Sequence, residues 1–109
     1  MTREEFRRIA LSLPEAIESA HMDHPDFRVG GKIFATLDSP KEGWAMVALT
    51  PEAQEVFVLS KPAIFVPVKG GWGRKGATNV VLAEADPKSV RDALAVAWRR
   101  RAPQRLETP

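Results

Sequence analysis

The chain has 109 residues, of which 44% are hydrophobic, and its formal net charge is +2. This length predicts one domain with a single core. The absence of cysteine excludes disulfides, thiol catalysis and cysteine-based zinc sites. The N-terminal residues lack the apolar segment of a signal peptide and no apolar run reaches membrane-spanning length, so we expect a cytoplasmic protein without a membrane partner.

The first predicted element is a helix that begins at a capping box formed by Thr2 and Glu5 and ends before Pro14. Its buried stripe is predicted from apolar residues at helical spacing, namely Phe6, Ile9, Ala10 and Leu13. A short strand is predicted over residues 16–20, with Ile17 facing the core.

A hairpin is predicted around Gly30-Gly31, because two alternating apolar runs flank this pair and glycine supplies the positive φ angles of a tight turn. Alternation along the second arm, residues 32–37, places Phe34 on the exposed face of the sheet. The next strand is predicted over residues 44–49, with Trp44 in the core and Val47 on the exposed face.

Two further helices are predicted to begin with the same device. In Thr50-Pro51 and again in Asp86-Pro87, a capping residue precedes a proline at the first helical position. Between these helices, residues 63–68 can form only an edge strand because of Pro67, and residues 78–83 form the last strand. The order of helix, four strands, helix, strand and helix favours an α+β fold, with an antiparallel sheet of about five strands and helices packed on one face.

The most unusual segment is residues 66–79, which hold four glycines, three cations, one tryptophan and no acid. Glycine at that density disfavours a helix or a regular strand and lets the backbone come close to a partner. The segment therefore predicts a flexible cationic loop whose exposed Trp72 can contact a polyanion. The alternative is a long hairpin connection in which Trp72 folds back onto the sheet.

Three polar clusters have a structural and a functional interpretation. Residues 21–26 hold two histidines and two aspartates, but the proline among them imposes an extended stretch, so no metal is expected. An ion pair of Asp26 with Arg28 and Lys32 across the hairpin is the alternative to a phosphate contact by Arg28. The run Arg99–Arg101 is either a phosphate clamp or a solvated helix end that suits the helix dipole.

Patterns typical of catalysis are missing from the sequence. The serines lie outside nucleophile-elbow contexts, and the phosphate-loop motif G-x-x-x-x-G-K-[ST] does not occur. The segment Gly70–Gly73 does not follow the dinucleotide-binding pattern. We therefore expect no enzymatic activity and no cofactor.

The segment H-P-D-F-R-V-G-G-K-I-F-A-T-L, followed by a strand that begins with tryptophan, by T-P-E-A and by a loop with glycine and tryptophan, resembles the MmcQ/YjbR family of small bacterial proteins. The resemblance covers Met1 to Arg101. It implies a frataxin-like fold with one domain over residues 1–102, and we expect a flexible tail over residues 103–109. Family members typically have the loop tryptophan just before the final strand, whereas Trp72 lies earlier.

The resemblance also implies DNA binding through two hairpin-like projections called a double wing, which correspond here to residues 28–32 and 69–79. Our leading hypothesis is therefore a monomeric, non-enzymatic module that binds double-stranded DNA through its phosphate backbone. The candidate contacts are Arg28, Lys32, Lys69, Trp72, Arg74 and Lys75. The alternative is a protein-interaction or small-ligand-binding module. It would use the exposed sheet face, including Phe34 and Val47, or an apolar pocket under the glycine-rich loop. An enzyme is the third possibility.

Overall fold

The computed structural model describes residues 1–106, in which helices cover one face of a six-stranded antiparallel sheet. The helices are α1 (Arg3–Leu11), α2 (Pro51–Ser60), α3 (Gly71–Arg74) and α4 (Pro87–Arg101). The strands are β1 (Ile17–His21), β2 (His24–Val29), β3 (Lys32–Leu37), β4 (Trp44–Ala48), β5 (Phe65–Pro67) and β6 (Ala77–Val81). Single turns of 3-10 helix cover Leu82–Glu84 and Gln104–Leu106.

The strands lie in the order β1-β2-β3-β4-β6-β5, and every neighbouring pair is antiparallel. The predicted α+β fold is confirmed. The sheet gains a sixth strand because β5 pairs with β6 at its edge, where Pro67 can be accommodated without a ladder donor. Helices α1, α2 and α4 pack on one face, and the other face is left open.

The three long helices begin where the capping signals predict. Thr2 and Glu5 form a complete capping box at α1. The Thr50 hydroxyl accepts a hydrogen bond from the Ala53 amide at α2, and the Asp86 carboxylate accepts one from the Ser89 amide at α4. These local contacts satisfy amide groups that the helix itself leaves without a partner.

The core lies between the helices and the covered face of the sheet. Phe6 of α1 packs against Phe27 of β2, with ring centroids 6.1 Å apart. Trp98 of α4 is buried, and its Nε1 donates a hydrogen bond to the Pro14 carbonyl oxygen at 2.9 Å. The polar atom of the largest buried side chain is therefore satisfied where α1 ends, as a buried indole requires.

A bulge in β3 overturns the predicted face of Phe34. Phe27 pairs with Ala35, but Arg28 pairs with Ile33, so two steps along β3 oppose one step along β2. The extra residue turns Phe34 into the core, where it is fully buried, and places Ile33 at the open face. Simple alternation fails here because a bulge reverses the faces on one side of it.

The predicted faces of β4 and β1 are also reversed. Val47 is fully buried beneath the helices, whereas Trp44 and Met46 line the open face. Ile17, predicted to face the core, is 58% exposed on the edge strand β1. The protein-interaction surface suggested from Phe34 and Val47 is therefore wrong.

The chain after α4 returns to the β2–β3 turn. Pro103 lies close to Gly30, because a Cβ built on Gly30 would be 2.9 Å from its Cγ. The Arg105 guanidinium forms a two-armed ion pair with the Glu15 carboxylate at 3.0 and 3.1 Å, and it lowers the pKa of that carboxyl. The flexible tail was predicted from residue 103; its residues 103–106 have this arrangement, and residues 107–109 lie outside the described part of the chain.

Candidate nucleic-acid interface

Both predicted projections extend from the same end of the sheet. The β2–β3 turn adjoins the start of β3, and the β5–β6 connection adjoins the start of β6, where Ala77 pairs with Ala48 at the end of β4. The strand order places the centres of the two strand pairs three strand positions apart. With about 4.8 Å between strands, the two projections are about 14 Å apart.

The first projection is the predicted tight turn. Gly30 and Gly31 have φ angles of 58° and 79°, which glycine adopts without a steric cost. Lys32 follows the turn and is exposed, and it makes no ion pair with the described residues. This turn therefore presents one free cation to solvent.

Arg28 is held by an internal partner. Its Nε and Nη2 donate to the two carboxylate oxygens of Asp26 at 2.8 and 3.1 Å. Asp26 is fully buried, and His21 Nδ1 lies 3.2 Å from its second oxygen. The hydrogen bonds from Arg28 hold the pKa of the Asp26 carboxyl below its usual value, although burial opposes this shift. The predicted ion pair is confirmed for Arg28, and its phosphate contact stays a prediction.

The second projection contains a helical turn, although the density of glycines disfavours a helix and predicted a flexible loop. Gly71–Arg74 form α3, and Gln54 of α2 donates from Nε2 to the carbonyl oxygens of Gly73 and Ala77, both at 3.0 Å. A short helix survives here because tertiary hydrogen bonds outweigh the low helix propensity of glycine.

Two glycines of this segment are needed for close internal packing. A Cβ on Gly73 would lie 1.6 Å from the Val68 carbonyl oxygen, and one on Gly76 would lie 1.9 Å from that of Leu49. Gly76 also has a φ of 112°, which side chains other than hydrogen rarely allow. The glycines predicted a close approach of the backbone to a partner, and these two instead allow close contact with other backbone segments of the same chain.

Trp72 projects from α3 into solvent and is 73% exposed, so the alternative in which it folds onto the sheet is wrong. The Lys75 ammonium lies 5.8 Å from the centroid of its ring, within the range of a cation–π contact. Lys69 and Arg74 are exposed on either side of the turn. This segment presents an aromatic ring together with three cations.

A groove of about 920 Å³ crosses the open face of the sheet. Its floor includes Thr36, Met46 and Asn79, which are cross-strand neighbours on β3, β4 and β6. Trp44 and Trp72 both line it. We call this feature the open-face groove. Its lining includes five cations and no acid among the described residues; the cations are Lys41, Lys69, Lys75, Arg100 and Arg101.

The last turn of α4 delivers two of these cations. Arg100 Nη1 lies 3.5 Å from the Ala48 carbonyl oxygen, at the end of β4. Arg101 Nε is buried and has no hydrogen-bond partner within residues 1–106. Burial lowers the pKa of the Arg101 guanidinium, and the adjacent positive charge of Arg100 lowers it further. An anion bound between these two side chains would relieve both effects.

The structure brings together only part of the predicted site. Lys69, Trp72 and Lys75 line the open-face groove, whereas Arg28, Lys32 and Arg74 lie outside its lining. From the sequence, Arg100 and Arg101 were considered only as part of a separate phosphate clamp or a solvated helix end. Lys41 and Trp44 were not predicted as site residues, although both line the groove. The acid-free arginine run was the available signal for α4. Nothing local to Lys41 indicates that its turn meets the groove.

Neither a metal centre nor a membrane segment is found in residues 1–106. No three potential ligands among His, Asp and Glu lie together in this part of the chain. His21 contacts Asp26. Within the same residues, no helix combines the length and the apolar character that a membrane span requires.

These features define a class of small α+β protein with an open antiparallel sheet, a cationic groove and two projections at one end. The YjbR family model matches residues 11–100, and the chain belongs to this family. The fold is similar to that of the Deinococcus radiodurans protein DR2400, described as a DUF419 domain, with a TM-score of 0.72 at 18% identity over 91% of this chain and 77% of that one. A comparison with curated proteins gave no match.

Proposed function

We propose that the protein is a monomeric, non-enzymatic DNA-binding module that contacts the phosphate backbone. The observation that carries this proposal is the charge of the open-face groove, whose lining includes five cations and no acid among the described residues. Phosphate contacts supply most of the free energy of non-specific DNA binding, and they require cations that no internal carboxylate has neutralised. None of these five cations forms an ion pair within residues 1–106.

The position of the two projections supports the same proposal. They leave one end of the sheet about 14 Å apart. The major groove of B-DNA is about 12 Å wide, so two such projections can contact phosphates on both of its borders. Lys32 lies on the first projection, and Lys69 and Arg74 lie on the second.

The formal net charge of the protein is only +2, so the proposal rests on the local charge of the open-face groove. Several carboxylates are paired on or near the helices. Glu4 pairs with Arg7, and Asp92 pairs with Lys88. With about three to five phosphate contacts, the slope of log K against log salt is expected to be about −3 to −4.

Fluorescence anisotropy with a labelled DNA duplex at about 50 mM and about 200 mM salt tests the proposal. The triple variant Lys69→Ala, Arg74→Ala and Lys75→Ala is expected to bind more weakly and to flatten the salt slope by about 1 for each phosphate that is no longer neutralised. A charge-matched control removes Arg8, Lys88 and Arg91, which are exposed on the helices. No binding at low salt, or equally weakened binding in the two triple variants, would contradict the proposal.

A small-ligand-binding module is the second candidate, because the open-face groove has the size of a ligand site. Its volume of about 920 Å³ lies within the usual range for such sites, and Trp44, Met46 and Val66 give it an apolar lining. In that case, tryptophan fluorescence would respond to a small anion and would not respond to DNA of any form.

A further inference from the structure

Each of the two tryptophans in the open-face groove has a lysine beside it. The Lys41 ammonium lies 5.0 Å from the centroid of the Trp44 ring, and the Lys75 ammonium lies 5.8 Å from that of Trp72. When the flexible lysine side chain moves off the ring, a base can stack on that face, and the displaced ammonium can contact the phosphate of the same nucleotide. The groove therefore contains two tryptophan–lysine units, each of which can bind the base and the phosphate of one nucleotide.

The floor between these units contains a polar group that can hydrogen-bond a base. Thr36 lies on this floor, but its hydroxyl is enclosed by the protein. Asn79, two strands away on the same row, adds an amide that can both donate and accept. The Asn79 amide is therefore the floor group that can hydrogen-bond the edge of a base.

The length of the groove suits several nucleotides. Four residue steps separate Trp44 from Ala48 along β4, which is about 13 Å, and α3 carries Trp72 at the Ala48 end. A stacked strand advances about 3.4 Å per nucleotide, so this length corresponds to about four nucleotides. Arg100 and Arg101 lie at the same end and can contact the next phosphate.

From these three observations we infer that the open-face groove binds unpaired nucleotides of a DNA strand, with bases against Trp44 and Trp72 and phosphates on the groove cations. The inference rests on the proposed DNA binding and specifies the form of the DNA. In a duplex the faces of the bases are stacked on one another and cannot reach the two rings, whereas an unpaired strand exposes both the faces and the edges of its bases.

Three fluorescein-labelled probes of one sequence test the inference by anisotropy at low salt. They are a single strand of about 24 nucleotides, its blunt duplex, and the duplex with a gap that leaves about four nucleotides unpaired at its centre. The single strand and the gapped duplex are expected to bind about tenfold or more tightly than the blunt duplex. Trp72→Ala, which alters an exposed ring, and Trp44→Leu, which keeps an apolar group, are expected to abolish this preference.

Each outcome decides between the two proposals. If the blunt duplex binds as tightly as the single strand, the inference is overturned and the proposed DNA binding stands. If no probe binds, both are overturned. If the preference persists in both tryptophan variants, or if a free mononucleotide competes as well as the strand does, the groove does not bind a strand in this way. Lys88→Ala serves as the control, because its side chain lies at the opposite end of α4 and is expected to leave all three affinities unchanged.

Discussion

Gln54 of α2 holds the second projection in place through Gly73, whose carbonyl oxygen accepts a hydrogen bond from Gln54 Nε2 at 3.0 Å. The same nitrogen donates to the Ala77 carbonyl oxygen at 3.0 Å. One side chain therefore ties α3 and the start of β6 to α2, on the C-terminal side of Trp72. The exposed ring is presented by a fixed backbone, which lowers the entropy cost when a ligand binds.

Replacement of Gln54 by alanine is expected to destabilise the protein by about 1 to 2 kcal/mol, because two partly buried carbonyl oxygens each lose a side-chain donor. Each oxygen keeps one backbone donor, the Gly76 amide for Gly73 and the Val68 amide for Ala77. Urea unfolding followed by circular dichroism measures the change. Glu55→Ala is the matched control, since Glu55 is the exposed neighbour on the same helix. Equal unfolding midpoints for the two variants would show that Gln54 does not secure the turn.

Gly73→Ala is expected to destabilise the protein by about 2 kcal/mol or more, because its Cβ would lie 1.6 Å from the Val68 carbonyl oxygen. Gly71→Ala provides the control two residues away, since its Cβ would meet only Arg74 Nη2, at 3.6 Å. The thermal midpoints of both variants test the difference. A Gly73→Ala midpoint equal to that of the wild type would contradict the close packing described for α3.

The ion pair between Asp26 and Arg28 predicts a loss of stability in acid. The pKa of Asp26 is lowered from its ordinary value of 3.8, mainly by the hydrogen bonds from Arg28. The stabilisation is therefore present above about pH 4 and disappears as the pH falls through the lower, folded pKa. Asp26→Asn is expected to cost about 1 to 3 kcal/mol at neutral pH, and its difference from the wild type should shrink in acid.

Urea unfolding at several pH values between about 7 and 3 measures this difference. Asp23→Asn is the control, because Asp23 is exposed and forms no ion pair within residues 1–106. A constant difference between Asp26→Asn and the wild type over the whole range would mean that the ion pair does not control acid stability.

Arg101 is expected to oppose stability and to favour binding. Its Nε is buried without a partner in residues 1–106 and lies beside a second cation, so Arg101→Met should leave stability unchanged or raise it by about 0.5 to 1 kcal/mol. The same change should weaken DNA binding, since it removes one cation from the groove. Arg99→Ala, which removes an exposed arginine outside the groove lining, should alter neither property. Unfolding and anisotropy measurements on both variants provide the test.

The sequence predicted those parts of the fold that depend on local chemistry. The capping residues Thr2, Thr50 and Asp86 marked the helix starts, and Gly30-Gly31 marked the hairpin. The faces of the strands were harder to predict, because a bulge or a shift of one residue reverses every side chain beyond it.

The groove was harder to predict because its residues are far apart in the sequence. Trp44 was predicted to lie in the core, because alternation alone does not show which face of the sheet the helices cover. Lys41 and Arg100 are 59 residues apart and line the same groove only because of the fold. In this fold β4 pairs with β6, which is not the next strand in the sequence. The helical turn at Gly71–Arg74 depends on the distant Gln54, which local propensity does not include.

The three tryptophans offer a direct test of the central claim, that the open-face groove binds DNA. An NMR titration with DNA can follow their indole N–H signals separately. Trp44 and Trp72 line the groove, whereas Trp98 is only 1% exposed and hydrogen-bonded to Pro14, so it serves as an internal control. We expect the Trp44 and Trp72 signals to shift or broaden and the Trp98 signal to stay unchanged. If the Trp44 and Trp72 signals remain unchanged when DNA is in excess, the groove is not the binding site.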